Sequence, residues 1–491
     1  MKKYILSIDS GTTGVTTLLL NKNLKIIHKE YSELKQFFPK PGWVEHNPNE
    51  LIKKIFKQLR NIKKNYNLND IASIGITNQR ETVVLWNKKN GKPVYNAIVW
   101  QCRRTKEYCE KLKKNKLSNK VFNKTGLYID SYFSATKINW ILKNIPLAKE
   151  LNKNNQLLFG TIDTWIIWNL TNKKKHLTDF TNASRTMLYN INKKEWDKEL
   201  LDLFTISNNI LPQVKNSMDD FGQAIIENYS IPILGVAGDQ QAALFGQGCH
   251  YKNTSKCTYG TGLFYLLNTG KIRKNSKSGL LTTLAINKHG KPCYAIEGSI
   301  FIGGALIQWL RDEIDMIQNA SETEKIAIDI KSTNGVYIVP AFVGLGAPYW
   351  NSECSGLITG ITRGTNKKHI IRASLEAIAY QVNDLIECIE KDIKIKISSL
   401  NVDGGATNND FLMQFQSDIS NLKIVKPKNI ESTAIGVGIL SGLNSKFWKD
   451  VDEIFNKKNN TLKEFRPRMK KNEKNKKISE WKKSINKALK N

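Results

Sequence analysis

The chain has 491 residues, enough at roughly 100–200 residues per domain for two to four domains with substantial cores. Hydrophobic residues make up 40%, aromatics 9% and charged residues 24%, which excludes the apolar-poor profile of disorder and leaves a folded globular protein. The 75 Lys+Arg against 44 Asp+Glu give a formal charge of +31, yet the excess is lysine scattered in pairs such as Lys53-Lys54, Lys193-Lys194 and Lys482-Lys483, without the aromatic-interleaved stripe that would point to nucleic acid.

In chain order, YILSI (4–8) reads as a strand, DSGTTG as a glycine-containing turn and VTTLLL (15–20) as a second strand, a hairpin with Asp9 at the first strand's end. Asn47 as N-cap and Pro48 at the first helical position open a helix with Leu51, Ile55, Leu59 and Ile62 at helical spacing. A buried strand follows at 71–77, ending in NQRE; then ETVVLW and PVYNAIVW flank a Lys-Asn-Gly-Lys turn as another hairpin. Strands alternating with helices make the class α/β, with ligand groups expected at strand ends.

KCTYGTGLFYLLN (256–268) repeats the opening's strand, Gly-Thr turn and strand, and suggests two similar domains, with a boundary near residue 248. In the Lys/Asn-rich tail from about Lys457, Ile478, Trp481, Ile485 and Leu489 fall on one helical stripe, which predicts a packed terminal helix. Seven cysteines without a C-x-x-C pair argue against disulfides or a zinc knuckle, and no run approaches the roughly 18 apolar residues of a spanning helix. A cytoplasmic protein with no membrane insertion is the expectation.

No Walker A loop is present, and Asp220-Phe221-Gly222 lacks the companion motifs of a protein kinase. Four other segments could build a phosphate-handling site. SIDSGTTGVTT (7–17) sets a carboxylate beside glycine, hydroxyls and backbone N–H groups, although a polar hairpin turn has the same composition. ITNQRE (76–81) ends a buried strand with Arg80 and Glu81, either a ligand pair or a salt-bridged turn. In GVAGDQQAALFG (235–246), Asp239 and Gln240 precede a helix-like run that Asp239 could simply cap. DGGATNND (403–410) lies between the strand SLNV and a probable helix, where paired glycines permit close backbone approach.

The order and wording of these blocks resemble the FGGY carbohydrate kinases across nearly the whole chain. PKPGWVEH (39–46), GITNQRET (75–82), AIVWQCRRT (97–105), DTWIIW (163–168), TNASRTML (181–188), AGDQQAALFGQ (237–247), PAFVGLGAPYW (340–350) and DGGATNNDFLMQFQSD (403–418) all carry the similarity. So do YFSATKINW (132–140) and the run from Gly356 through Gly360 to His369 and Glu376. The resemblance implies two ribonuclease H-like (actin-like ATPase) domains with an interdomain cleft. Residues 1–247 would hold the substrate and first phosphate loop, and 248–491 the nucleotide and the terminal helix.

The activity implied is Mg2+-dependent phosphorylation of glycerol by ATP, giving sn-glycerol 3-phosphate and ADP as the first step of glycerol catabolism. Homo-oligomers, dimers or tetramers, are implied as well. By position, Arg80, Glu81, Tyr132, Asp239, Gln240 and Phe264 match the acceptor set, with Asp239 as general base. Thr12, Thr13, Gly14 and Thr16 match the first phosphate loop, Thr261 the second, Gly304, Gln308, Gly405 and Asn409 the other nucleotide contacts, and Asp9 the metal carboxylate.

Two positions depart from the family pattern: Gly14 stands where serine is common and Thr16 where arginine is common. FGQAIIENYSIPI (221–233) also lacks the longer arginine-bearing loop of relatives inhibited by fructose 1,6-bisphosphate. A pentulose or four-carbon polyol kinase and a silent sensor are the competing readings; intact Asp9, Arg80, Glu81 and Asp239 weigh against the sensor.

Overall fold

The computed structural model describes residues 2–351, 353–429, 431–455 and 463–490, and the start of the lysine-rich tail at 457–462 lies outside them. The chain forms two compact units that interleave in sequence: Met1–His250 with Thr282–Tyr294 and Ser432–Lys457, and Tyr251–Leu281 with Ala295–Glu431 and Lys458–Asn491. Among the described residues no helix is long and apolar enough to cross a membrane, and no disulfide joins the seven cysteines.

Numbering only the strands of the two central sheets used below, the first unit holds β1 (Tyr4–Ser10), β2 (Gly14–Leu20), β3 (Ile26–Glu33), β4 (Ile71–Asn78), β5 (Gln223–Ile226) and β6 (Tyr229–Gly238). They lie in the order β5-β6-β4-β1-β2-β3. β1, β2 and β3 form an antiparallel meander, while β4 runs parallel to β1 and β6 parallel to β4. The expected opening hairpin is therefore present. On one face, Leu51, Ile55 and Leu59 of the Pro48–Asn65 helix pack into a core with Leu6, Ile8, Val15 and Trp165. Asn47 caps that helix as predicted, its side chain accepting from the N–H groups of Asn49 at 2.9 Å and Glu50 at 3.3 Å.

The opposite face is covered by a helix from far along the chain, Ser432–Asn444. It approaches closely because glycines meet it: a Cβ on Gly75 of β4 would stand 2.4 Å from the Val437 carbonyl oxygen, and one on Gly235 of β6 would stand 2.6 Å from Ser441 N. Gly436 in turn sits against the Asp239–Gly246 helix, where a Cβ would fall 1.9 Å from the Ala242 carbonyl oxygen.

The hairpin expected over 81–100 is reduced. Val84–Asn87 forms a regular ladder with Leu157–Gly160 on one edge, while on the other the 92–98 segment returns antiparallel through bridges from Trp86 to Pro93 and Val83 to Ile98, and Ala97–Ile98 also pairs with Glu45–His46. Pro93 stands at a non-hydrogen-bonded position of this pairing, between the Asn87–Lys92 and Val94–Leu85 bonds, so its missing N–H takes nothing from it. Asp220-Phe221-Gly222 is an ordinary turn in which Asp220 accepts from Gly222 N–H at 2.8 Å.

In the second unit the hairpin recurs: β7 (Ser255–Tyr259) is antiparallel to β8 (Leu263–Gly270) and parallel to β9 (Ser399–Asp403). β10 (Lys423–Lys426) continues in parallel and β11 (Lys463–Phe465) closes antiparallel. The core lies around the Lys367–Ile393 helix, against which the Lys471–Lys490 helix packs. Trp481 stacks on Tyr380 at 5.1 Å and donates from Nε1 to Asp384 at 2.8 Å, so the stripe read in the tail is the buried face of a terminal helix.

Adding one methyl at Gly436 tests the close helix contact. We expect Gly436→Ala to lower the unfolding free energy by ~1–3 kcal/mol in a denaturant titration, as for overpacking. Gly364→Ala, whose nearest neighbours stand 3.8 Å or more away, should leave it unchanged.

Candidate active site

Three parallel strands end in one row. Ser10 of β1 pairs with Asn78 of β4, and Asn78 with Gly238 of β6, so the segments that follow them emerge at the same sheet edge. They carry Gly11–Gly14, Gln79–Glu81 and Asp239–Gln240, all singled out from sequence.

Arg80 and Glu81 are almost fully buried, with side chains 1% and 2% exposed, whereas Asp239 is 28% exposed. The Arg80 Nε lies 3.3 Å from Asp239 Oδ1 and 3.8 Å from Glu81 Oε1, and Arg80 Nη1 donates to Gln241 Oε1 at 3.2 Å. The stem of Arg80 passes over Gly238, where a Cβ would meet its Cγ at 2.7 Å. Asp239 stands in the first turn of its helix, where the dipole favours a negative charge, and Oδ1 accepts from Gln240 N–H at 2.7 Å. Glu81 has φ +62, a left-handed conformation costing ~1–3 kcal/mol in a non-glycine residue. It is held there by Arg185, whose Nε donates to Oε1 at 2.6 Å, and by the Ser134 hydroxyl on its carbonyl at 3.1 Å.

Tyr132 is half-buried, and its ring meets Trp100 edge to face at 5.5 Å, with the Arg185 guanidinium 5.6 Å from its centroid. Trp100 Nε1 donates to Thr12 Oγ1 at 2.8 Å, linking these two aromatic rings to the Gly11–Gly14 turn. Wholly buried Lys137 holds the Ser131 carbonyl at 3.2 Å and the Tyr132 carbonyl, and burial lowers its pKa to about 8. Trp100, Arg185, Gln241 and Lys137 were assigned no role from sequence, although Trp100, Arg185 and Lys137 stand inside the quoted blocks AIVWQCRRT, TNASRTML and YFSATKINW and Gln241 inside AGDQQAALFGQ.

At the first turn, Thr12 is half-buried and Thr13 exposed, while Thr16 sits on β2 in register with both Asp9 and Tyr31. The Tyr31 ring occupies the space beside Gly14, since a Cβ there would lie 2.4 Å from it, and the Tyr31 hydroxyl donates to the Thr13 carbonyl at 3.2 Å. Asp9 is half-buried at the strand end. Opposite it in register, the Thr77 hydroxyl is buried with no hydrogen-bond partner among the described residues. A hard carboxylate beside hydroxyl oxygens fits Mg2+, which takes one or two carboxylates with phosphate and water oxygens.

In the second unit the corresponding turn, Gly260–Gly262, also follows a strand end. The Thr261 carbonyl accepts from Gly303 N–H at 2.8 Å and Ala305 N–H at 3.1 Å, and the Gly260 carbonyl from Gly304 N–H at 2.8 Å. Gly304 precedes the Ala305–Asp312 helix, which carries exposed Gln308. Gly404, φ +91, packs on Tyr259, while a Cβ on Gly405 would meet nothing within 4 Å. Thr261, Gly304, Gln308 and Gly405 thus collect around the end of β7. Asn409 caps the Asp410–Ser420 helix, accepting from Leu412 N–H at 2.9 Å and donating to Thr323 Oγ1 at 3.0 Å, so its amide is engaged within the protein. Phe264 lies on β8, paired with Thr258.

Two sheets of like order, each with a Gly-Thr turn after its first strand, and a carboxylate beside an arginine at one strand edge, define the two-domain actin-like class of sugar phosphotransferases. Residues 4–246 match the N-terminal domain, and 255–444 the C-terminal domain, of the FGGY family of carbohydrate kinases. The chain belongs to that family. It is 52% identical over 495 residues to a glycerol kinase of Clostridium botulinum, covering 100% of this chain and 99% of the relative. It is 50% identical to a glycerol kinase of Caldanaerobacter subterraneus subsp. tengcongensis with the same coverage. A crystal structure of Plasmodium falciparum glycerol kinase with ADP superposes with a TM-score of 0.93 at 39% identity, covering 99% of this chain and 98% of that one. A ligand-bound xylulose kinase from Lactobacillus acidophilus shares the fold at a TM-score of 0.85 and 21% identity, covering 99% of this chain and 97% of that one.

Gly14 and Tyr31 should behave as a coupled pair. Gly14→Ser in the otherwise unchanged protein must push the ring aside and lose the hydroxyl bond to Thr13, a cost of about 1 kcal/mol in chemical denaturation. In a Tyr31→Ala background the same serine should cost close to nothing; equal costs in both backgrounds would show that the ring does not set this position.

Proposed function

We propose that this chain transfers the γ-phosphoryl group of ATP to the terminal hydroxyl of glycerol, giving sn-glycerol 3-phosphate and ADP. The observation that carries the reading is Asp239: its carboxylate reaches solvent at a strand end while Arg80 grips it from behind at 3.3 Å. Full-length similarity to glycerol kinases supports the choice of acceptor.

An alcohol is a weak nucleophile, so Asp239 accepts its proton as the new oxygen–phosphorus bond forms and the bond to the ADP oxygen breaks in line. Arg80 offers a donor fork and Glu81 an acceptor to neighbouring hydroxyls. Tyr132 and Trp100 face the carbon chain, with Gln240 and Phe264 completing the acceptor set. The N–H groups of Thr12, Thr13, Gly14 and Thr261 steady the phosphates, and Thr16, Gly304, Gln308, Gly405 and Asn409 complete the nucleotide contacts. Asp9 would hold Mg2+, which when bound offsets the negative charge of the phosphates. The division of labour is substrate and first phosphate loop on 1–247, nucleotide on 248–491. A cytoplasmic homo-oligomer acting at the first step of glycerol catabolism accords with the same reading.

ADP release with Mg-ATP should be fastest with glycerol among glycerol, dihydroxyacetone, erythritol and xylulose; preference for another acceptor would overturn the pocket assignment. Asp239→Asn should lower kcat by ~100-fold or more with the glycerol KM largely kept. Gln223–Ile226 and Tyr229–Gly238 join through a two-residue turn, Glu227 and Asn228, so millimolar fructose 1,6-bisphosphate should leave the rate unchanged.

A further inference from the structure

The short helix Phe180–Ala183 has no part in the proposed chemistry, yet residues on and beside it reach both segments that do. Asp179 anchors it. This wholly buried carboxylate accepts from Thr181 N–H at 3.0 Å, the Thr181 hydroxyl at 2.7 Å, Asn182 N–H and Asn182 Nδ2 at 3.0 Å, and the Ser217 hydroxyl at 2.7 Å. Burial raises its pKa, and the donors from Asn182, Ser217 and Thr181 act against that rise. A hydroxyl has one proton, and Thr181 gives it to Asp179; its lone pairs therefore serve the other side, where they accept from Gly238 N–H at 2.8 Å. Gly238 is the residue before Asp239 and the N-cap of its helix. Asn182 meanwhile exchanges amide hydrogen bonds with Asn78 at 3.0 and 3.2 Å, and Asn78 Nδ2 donates to the Gln79 carbonyl at 2.8 Å, one residue before Arg80.

We infer that Thr181 is a positioning residue for phosphoryl transfer: it sets the aim of the Asp239 carboxylate by holding the Gly238 N–H, and Asp179 fixes the direction in which its hydroxyl points. The inference rests on Asp239 being the general base. The lever is short. Turning the peptide unit between Ala237 and Gly238 re-aims the first residue of the helix, and misplacing a reacting group by about 1 Å can cost ~100-fold in rate.

Steady-state kinetics of the full chain with Mg-ATP and glycerol test it. Thr181→Val keeps the shape and removes the hydroxyl; kcat should fall by about tenfold or more while both KM values stay within about twofold. Thr181→Ser restores the hydroxyl and should return kcat to within about twofold of the unmodified protein. Ser217→Ala removes a different donor from the same carboxylate, with no tie to Gly238, and should lower the melting temperature but hold kcat. Unchanged kcat in Thr181→Val, a serine variant as slow as the valine one, or an equal loss of kcat in Ser217→Ala would each overturn the inference. If Thr181→Val does not fold, Thr181→Cys takes its place, since a thiol is a weak acceptor; a fall in kcat of about threefold or more is expected, and none would overturn the inference. Asp239→Asn measured alongside separates the two levels. Full turnover in that variant removes the base and the inference together, whereas an inactive Asp239→Asn beside a normal Thr181→Val removes the inference alone.

Discussion

The register of β1, β4 and β6 is the constraint on which the first unit's site depends. Segments ending at residues 10, 78 and 238 share nothing in sequence, but as parallel neighbours they finish in one row, Ser10, Asn78 and Gly238. A slip of one residue would turn every side chain to the other face of the sheet. What holds the register is packing: Gly75 and Gly235 leave room for the backbone of the Ser432–Asn444 helix and for nothing larger, at 2.4 and 2.6 Å from where a Cβ would stand. Seat of helix and alignment of strands are one constraint, which also explains why that late segment groups with the first unit.

Onto this frame the protein builds an alternation of charge: Asp239, Arg80, Glu81 and Arg185, each in reach of the next at 3.3, 3.8 and 2.6 Å. Burying any one of these alone would be strongly destabilising, whereas here each has an opposite charge beside it whose attraction offsets its loss of water. Only Asp239 opens to solvent. The left-handed backbone at Glu81 belongs to the same arrangement, because the Arg185 bond and the Ser134 bond to its carbonyl hold a geometry that the residue would not choose.

How much of this was legible depended on distance along the chain. Hairpins, the Asn47 cap and the terminal helix stripe are local patterns, and the structure contains them. Arg80, Glu81 and Asp239 stood out because they follow strands directly. Trp100 did not, since its place comes from Thr12, 88 residues away, and Arg185 did not, since its partner Glu81 is 104 residues away. A glycine at 436 weakens a helix locally; only the Ala242 backbone it packs against gives it a purpose. The 81–100 hairpin, whose turn lies between its own arms, is present in irregular form, whereas the ladder of Val84–Asn87 with Leu157–Gly160 was not legible because that partner comes from far along the chain.

The two Gly-Thr turns proposed to receive phosphate are built by different means but meet one electrostatic requirement. An anionic ligand is repelled by carbonyl oxygens and attracted by N–H groups, so a turn that receives phosphate must have its carbonyls occupied elsewhere. In the first turn, Gly11 O accepts from Gln79 at 3.2 Å, Thr12 O from Gln36 at 3.4 Å, and Thr13 O from Leu34 N–H at 2.8 Å and the Tyr31 hydroxyl at 3.2 Å. In the second, Gly303, Gly304 and Ala305 N–H groups occupy Thr261 O and Gly260 O. Because a trans peptide directs its C=O and N–H to opposite sides, tying these oxygens back turns the N–H groups of Thr12, Thr13 and Gly14, and of Thr261 and Gly262, the other way. Tyr31 then accounts for Gly14 and Thr16 together: it lies opposite Thr16 in register, its ring needs the space at residue 14, and its hydroxyl does for the Thr13 carbonyl what backbone donors do for the second turn.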